Sequence, residues 1–268
     1  MIIGNREFDL KNKTYIMGIL NVTPDSFSDG GKWSEKDVAL RHVETMINEG
    51  ADIIDVGGES TRPGHIQIEE AQECARVIPI IEEIGKRFDV PISIDTYKAG
   101  VALEALQAGA NLVNDVWGFK YDNRIAKVTA KYDAACCLMH NKKQPEYDNF
   151  MADIIADLQE SIGIATKAGI STDKIMIDPG VGFAKSYEQN LEVINKLEQL
   201  GKLNVPVLLG TSRKSVIGLT LDLPAKERVE GTIATTVIGV MKGASFVRVH
   251  DIEANKRAIQ MAEAILNG

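Results

Sequence analysis

Polar side chains with chemical uses end several short apolar runs of this chain. Asp95 ends the run VPISI, Asn114 follows ANLV, and Asp178 ends KIMI. One such Asp or Asn alone often only caps the next helix, but three on separate runs favour a shared ligand. A carboxylate can accept two parallel N–H donors from one planar group. A 2-amino-4-oxo pyrimidine edge, as in guanine or a pterin, presents such a donor pair, so these residues predict a site for a ring of that kind.

A second set of residues is suited to an anion. The segment 212–215 (SRKS) follows the run VPVLLG, while Arg248 and His250 lie two apart at the end of the chain's last apolar run and share a strand face. Loops after the last two strands of a β/α barrel often bind phosphate with a helix N-terminus. Further polar or basic groups are Asn21, Thr61 and Arg62. This set favours an anionic leaving group held with a hard divalent metal such as Mg²⁺, for which one Asn and phosphate oxygens are suitable ligands.

The sequence lacks the motifs of several other chemistries. It contains no GxSxG, HExxH or P-loop, and Gly57-Gly58 is too short to form a phosphate cradle alone. The serines of the loops have no obvious base, so covalent catalysis is not indicated.

Charge and cysteine content restrict the partners and the compartment. The net charge is -8 with no basic block, which argues against a nucleic-acid partner. Cys74, Cys136 and Cys137 form no CxxC pair and are expected to be reduced thiols of a cytoplasmic protein. The start MIIGNREFDLK has no signal-peptide core, and no apolar run approaches the ~20 residues that span a membrane.

The elements that must position these residues alternate along the chain. Eight apolar runs rich in Ile, Val and Leu are separated by segments with helical spacing. This pattern predicts an α/β fold, a (β/α)8 TIM barrel in one domain over residues 1–268, with a short N-terminal β-hairpin at residues 1–10 that plugs the barrel's bottom. A doubly wound open sheet is the alternative, although it usually has fewer strands in this length.

Two connections and one helix carry further predictions. Residues 22–32 and 60–68 are longer than a barrel requires, and their position makes them candidate lids. Residues 231–241 (GTIATTVIGVM) carry no charge, and a helix of that kind is normally covered on all sides. We therefore expect a homodimer through this helix, with cover by the last helix as the alternative.

Several longer words of the sequence resemble the dihydropteroate synthase family. These are GILNVTPDSFSDGG (18–31), ESTRPG (59–64), NDV (114–116), DPGVGFAK (178–185), TSRKS (211–215) and VRVHD (247–251). The resemblance covers essentially the whole chain. It implies that 6-hydroxymethyl-7,8-dihydropterin pyrophosphate and p-aminobenzoate are joined to 7,8-dihydropteroate with release of pyrophosphate, a step of folate synthesis, and that sulfonamides mimic p-aminobenzoate.

The resemblance also assigns roles to residues by position. At the pterin we expect Asp95, Asn114, Met139, Asp178, Phe183 and Lys214. At the pyrophosphate we expect Asn21, Thr61, Arg248 and His250, with Mg²⁺ at Asn21. At p-aminobenzoate we expect Phe27, Thr61, Arg62, Pro63 and Ser215. The catalytic residues implied are Asp95, Lys214, Arg248 and His250.

Two other functions share parts of this pattern. A pterin-binding methyltransferase would use an acidic pterin slot but has no use for TSRKS or Arg248. An inactive paralogue that only binds pterin is expected to lose some of the site residues, whereas here the set is complete.

Overall fold

Parallel strands form the barrel that the sequence predicts. The computed structural model describes residues 1–23, 35–60 and 66–268. Within them the strands are β1 (Ile2–Ile3), β2 (Arg6–Glu7), β3 (Tyr15–Asn21), β4 (Ile53–Gly57), β5 (Ile92–Asp95), β6 (Leu112–Asp115), β7 (Ala135–Met139), β8 (Ile175–Asp178), β9 (Leu208–Leu209) and β10 (Phe246–Val249). The parallel sheet runs in the order β8-β7-β6-β5-β4-β3-β10-β9. A bridge between Ile177 and Val207 joins its two edges and closes the barrel.

Helices cover the outside of the barrel. They are α1 (Glu35–Asn48), α2 (Glu70–Arg87), α3 (Ala99–Gln107), α4 (Ile125–Lys131), α5 (Phe150–Lys167), α6 (Tyr187–Asn195), α7 (Ser215–Leu221), α8 (Val229–Met241) and α9 (Ile252–Asn267). The barrel strands are buried almost throughout, because their outer residues meet these helices and their inner residues meet one another. In the part of the chain that is described, no helix is long and apolar enough to cross a bilayer.

The N-terminal hairpin closes one end of the barrel, as predicted. β1 and β2 pair antiparallel around the Gly4-Asn5 turn. Phe8 lies behind them and packs its ring on Tyr15 and Phe246, with ring centroids 4.8 and 5.6 Å apart. Because this end is filled with apolar side chains, a ligand must use the other end, where the strands finish.

Helices α2 and α8 each have a feature that the local sequence pattern does not reveal. Helix α2 continues through Pro79, although proline usually kinks or breaks a helix interior. Helix α8 packs along α9, and its Val240 is buried, so one side of this helix, which carries no charge over residues 231–241, has a partner within the chain. The two predicted lid segments fall largely on residues 24–34 and 61–65, which lie outside the described residues.

Candidate active site

Strand register brings the polar strand ends to one level at the open end of the barrel. Asn21 lies opposite Gly57, Gly57 opposite Asp95, and Asp95 opposite Asn114. Asp178 ends β8 on the same rim. The three acceptors that the sequence singles out are therefore brought to one mouth, and each is nearly buried.

Arg248 is held by two carboxylates inside this mouth. Its Nε donates to Oδ2 of Asp55 at 2.6 Å, and its Nη2 donates to Oδ2 of Asp95 at 2.7 Å. Asn114 donates from Nδ2 to the same Asp55 oxygen at 3.1 Å. The guanidinium thus fixes two strand ends, and the bond to Asp55 turns the amide oxygen of Asn114 away from that carboxylate.

The two carboxylates are crowded and almost dry. Burial, together with the charge of Asp55, raises the pKa of Asp95 to about 7, although the Arg248 guanidinium opposes this shift. The same carboxylates raise the pKa of Arg248, against the effect of burial. Among the described residues, Oδ1 of Asp55 and Oδ1 of Asp95 have no hydrogen-bond partner. A buried acceptor without a partner is costly, so these atoms are suited to a proton or to N–H donors of a ligand.

Asp178 and Lys214 form the opposite side of the mouth. Oδ1 of Asp178 accepts from the backbone N–H of Gly180 at 2.7 Å. A methyl group on Gly210 would lie 3.3 Å from Oδ2 of Asp178, so the missing side chain at Gly210 leaves room beside that oxygen. Lys214 donates from Nζ to the carbonyl of Val181 at 2.6 Å.

Opposite charges on this side partly offset the effect of burial on the pKa values of Asp178 and Lys214. Burial raises the pKa of Asp178, and the cations of Lys214 and Lys185 oppose the rise. Burial lowers the pKa of Lys214 to about 8, and Asp178 is the main opposing charge. Lys214 is thus close to losing its proton near neutral pH, which is the condition for a group that exchanges protons.

An apolar wall lies beside the polar rim. The side chains that pack together there are Tyr97, Val116, Trp117, Met139 and Phe183. The Lys214 ammonium lies 4.9 Å from the centroid of the Phe183 ring, within the range of a cation–π contact. A flat aromatic ligand could be held between this wall and the Arg248 guanidinium, with its edge toward the acceptors.

His250 is oriented by Ser212, which lies in the loop after β9. The Ser212 hydroxyl lies 2.9 Å from Nδ1 of His250 and accepts from the His250 backbone N–H at 3.1 Å. The hydroxyl keeps its own proton while it accepts from that N–H, so it can donate to Nδ1 of a neutral ring whose proton is on Nε2. Arg213, in contrast, is directed to Asp251, with Nε and Nη2 at 3.0 and 2.5 Å from its two carboxylate oxygens.

Asn21 supplies oxygen at the rim. A methyl group on Gly57 would lie 3.9 Å from Oδ1 of Asn21 and 3.6 Å from Oδ2 of Asp95, so glycine leaves an open space between two hard donors. In the described ranges, no group of three His, Cys, Asp or Glu side chains is placed to hold a metal. The donor set fits a Mg²⁺ that takes one or two protein oxygens and completes its shell with water and phosphate.

The remaining predicted residues divide into two groups. Ser215 begins α7 and is exposed at the rim beside Lys214. Phe27, Thr61, Arg62 and Pro63 lie outside the described residues, so their positions relative to this mouth stay predictions.

A buried ion cluster beside the mouth carries no sequence signature. Lys98 donates from Nζ to Glu59 and to Glu73, both at 2.6 Å, and to the carbonyl of Ile68 at 2.7 Å. Tyr97 donates to the other oxygen of Glu59 at 2.5 Å. The cluster ties the end of β4 to the start of α2 and to the Tyr97 side of the apolar wall.

The rule that directs attention to strand ends missed Asp55. Asp55 lies inside β4, two positions before its last residue, and its partners come from β6 and β10. Its signal in the sequence is a second charged residue, after Asp52, in the mostly apolar word ADIIDVGG. Ser212 lies within the quoted word TSRKS, but its role toward His250 depends on the pairing of two loops.

Known proteins that are similar to this chain identify its family. The family model described as "Pterin binding enzyme" matches residues 17–250. A protein of Clostridium beijerinckii named dihydropteroate synthase is 60% identical over 267 residues, covering 99% of each chain. The chain belongs to the dihydropteroate synthase family. The family expected from the sequence words is thereby confirmed, and the relative's name favours the synthase over the methyltransferase alternative.

Solved structures of the family share the fold. A dihydropteroate synthase of Clostridium difficile, crystallised in the presence of pteroic acid, matches with a TM-score of 0.95 at 52% identity, covering 98% of this chain and 100% of that one. A Yersinia pestis dihydropteroate synthase with a sulfonamide drug complex matches with a TM-score of 0.94 at 40% identity, covering 100% and 99%. The predicted TIM barrel with its N-terminal hairpin is confirmed by this likeness.

Proposed function

We propose that this protein joins 6-hydroxymethyl-7,8-dihydropterin pyrophosphate to p-aminobenzoate, giving 7,8-dihydropteroate and pyrophosphate. The observation that carries the proposal is that the hydrogen-bonding side chains of Asp178 and Asn114 and the apolar wall lie in the same barrel mouth. The relative with pteroic acid supports it, because that ligand contains both the pterin and the p-aminobenzoate portions.

The pterin edge would be held by hydrogen bonds of fixed direction. Asp178 keeps one oxygen on the Gly180 backbone, and its other oxygen would accept from the 2-amino group and a ring N–H. The amide nitrogen of Asn114 is bonded to Asp55, so its oxygen would accept as well. Asp95, with its raised pKa, could donate or accept at a ring nitrogen. Each matched charged bond contributes about 1.5–3 kcal/mol to binding.

The leaving group would lie toward Asn21 and His250. The Nε2–H of His250, aimed by Ser212, would donate to a phosphate oxygen, and Arg248 would add positive charge from below. A Mg²⁺ ion held by Asn21 and the pyrophosphate would neutralise charge that builds up as the C–O bond breaks. Our prediction of this metal rests on the oxygens of Asn21 and Asp95 beside Gly57.

The chemistry needs no strong general base. An arylamine is neutral at pH 7, and the departing pyrophosphate leaves a methylene cation that is conjugated with the electron-rich pterin. Donors around the pyrophosphate stabilise the charge that develops there, while the apolar wall limits water. We therefore favour a dissociative substitution. An isotope effect at the methylene carbon that is typical of direct displacement would contradict it.

A homodimer in the cytoplasm is part of the proposal. Helix α8 presents Ile238 and Met241 with 40% and 64% of their surfaces exposed, although α9 covers its other side. Because Ile238 is exposed on this helix, Ile238→Glu tests the dimer. It should convert a dimer to a monomer in sedimentation, while a wild-type protein that sediments as a monomer would contradict the dimer.

The direct test of the reaction measures pyrophosphate release from the pterin substrate with and without p-aminobenzoate. Release should depend on p-aminobenzoate, and a sulfonamide should compete with it. Binding of the pterin substrate without any release would indicate an inactive pterin-binding protein instead.

A further inference from the structure

Lys185 ties the turn that follows β8 to the end of β7. Its Nζ lies 2.8 Å from Nδ1 of His140 and donates to the carbonyls of Gly180 and Phe183 at 3.0 and 3.1 Å. Burial lowers the pKa of Lys185 to about 7, and in its protonated form the ammonium has three N–H donors for these three partners. The proposed reaction gives Lys185 no contact with either substrate, which leaves the purpose of this arrangement open.

The histidine partner is suited to accept from a lysine. His140 is fully buried, and burial, with the nearby charge of Lys185, lowers its pKa to about 2. The ring is therefore neutral, and its Nδ1 can accept the ammonium proton while Nε2 carries the ring's own proton. Lys185 and His140 thus act as a fixed donor and acceptor pair.

The turn between residues 180 and 184 depends on such fixation. Gly180 has φ +70, and a methyl group there would lie 2.1 Å from the carbonyl oxygen of His140, so the turn presses against the end of β7. Ala184 has φ +44, a conformation that L-residues with a side chain rarely adopt. A turn with this backbone persists only when the surrounding contacts hold it.

The same turn carries two parts of the mouth. The Phe183 ring belongs to the apolar wall, and the Val181 carbonyl accepts from Nζ of Lys214. The charge of Lys185 is also one of those that oppose the rise of the Asp178 pKa caused by burial. Loss of Lys185 would therefore disturb the wall, the Lys214 position and the charge of Asp178 together.

We propose that Lys185 is a positioning residue for the pterin, acting through the 180–184 turn and Phe183 rather than by contact with the substrate. The inference rests on the proposed function, and it concerns pterin binding specifically. Among the described residues, the hydrogen-bond partners of the Lys185 Nζ lie at the end of β7 and in the turn, and not on the side beside Ser215 where p-aminobenzoate would enter.

The test is the Lys185→Met variant in the complete protein. We expect the KM for the pterin pyrophosphate to rise about tenfold, because three hydrogen bonds of the turn are lost, while the KM for p-aminobenzoate stays within twofold. A variant that is only less stable would lose active protein, which lowers kcat and leaves both KM values unchanged. That result, or an equal rise in both KM values, would overturn the proposal.

Lys174→Met is the matched control. Lys174 lies just before the other end of β8 and donates to a backbone carbonyl, that of Asp133, at 2.7 Å. This variant should keep both KM values. If Lys185→Met does not fold, Lys185→Gln replaces it, since its shorter amide has only two N–H donors for three acceptors and should still raise the pterin KM; an unchanged pterin KM in that variant overturns the proposal.

A double-mutant cycle with Phe183→Leu tests whether Lys185 acts through Phe183 or independently of it. If Lys185 acts through Phe183, Lys185→Met should raise the pterin KM clearly less in the Phe183→Leu background than in the wild type. Fully additive effects would contradict that route. A wild-type protein that makes no dihydropteroate would instead refute the proposed function, so the two failures are distinguishable.

Discussion

The Nε atom of Arg248 lies 2.6 Å from Oδ2 of Asp55. This bond crosses the inside of the barrel, because β10 and β4 are separated by β3 in the sheet. Asp55 also accepts from Asn114, so one buried carboxylate orients both a cation and an amide of the mouth. The finding makes Asp55 as important to the site as the residues at the strand ends.

Asp55→Asn should therefore damage the site through Arg248 and Asn114. The amide would present a donor or a weaker acceptor to Arg248 and would free the side chain of Asn114. We expect kcat/KM to fall by an amount that corresponds to a loss of about 2–4 kcal/mol of transition-state stabilisation. Asp122→Asn, which removes a carboxylate paired with Arg124 at the surface, is the control. Steady-state kinetics would contradict the prediction if both variants retained wild-type kcat/KM.

Asp178→Asn should remove pterin binding and leave the fold intact. An amide NH₂ would face the donors of the pyrimidine edge, so one charge-assisted pair is lost and a donor is left unmatched. The expected cost is about 2–4 kcal/mol of binding free energy. Calorimetry with a pterin analogue measures it, and affinity close to that of the wild type would remove Asp178 from the site.

Asp95 should make stability depend on pH. Its pKa in the folded protein is about 7, above the value of about 3.9 in an unfolded chain, so the folded state binds the proton more tightly. The stabilisation is complete below pH about 4 and is lost as pH rises through about 7. The free energy of unfolding of the wild type should therefore fall more steeply than that of Asp95→Asn between these limits. Parallel curves would show that Asp95 ionises normally.

Lys98→Met should destabilise the fold strongly. It would leave Glu59 and Glu73 buried next to each other without their shared cation, and breaking a buried ion pair from one side costs about 3–5 kcal/mol. Lys86→Met removes a cation that is paired with Glu83 at the surface, where the change should stay within about 0.5 kcal/mol. Urea denaturation of both variants decides the matter; equal midpoints would mean that the buried cluster adds no stability.

Periodicity and strand ends predicted much of the fold and rim. The apolar runs predicted the barrel strands, since strands buried on both faces are apolar throughout, and residues such as Asp95 and Asn114 end those runs at a common edge. Homodimer, metal and the residues of the two long connections stay predictions.

Partners that meet across the barrel could not be predicted from local pattern. The bonds of Asp55 and Lys98, and the contact of Lys185 with His140, join segments that become neighbours only in the folded barrel, and no spacing in the sequence encodes them. The burial of Val240 likewise depends on how α8 lies against α9, which the charge-free segment 231–241 does not reveal.

The central claim is that this mouth joins a pterin to an arylamine with loss of pyrophosphate. The most direct measurement counts both products in one reaction of the wild-type protein with 6-hydroxymethyl-7,8-dihydropterin pyrophosphate, p-aminobenzoate and Mg²⁺. We predict equal amounts of 7,8-dihydropteroate and pyrophosphate, and neither product when p-aminobenzoate is omitted. Pyrophosphate released at the same rate with or without p-aminobenzoate, and without dihydropteroate, would contradict it.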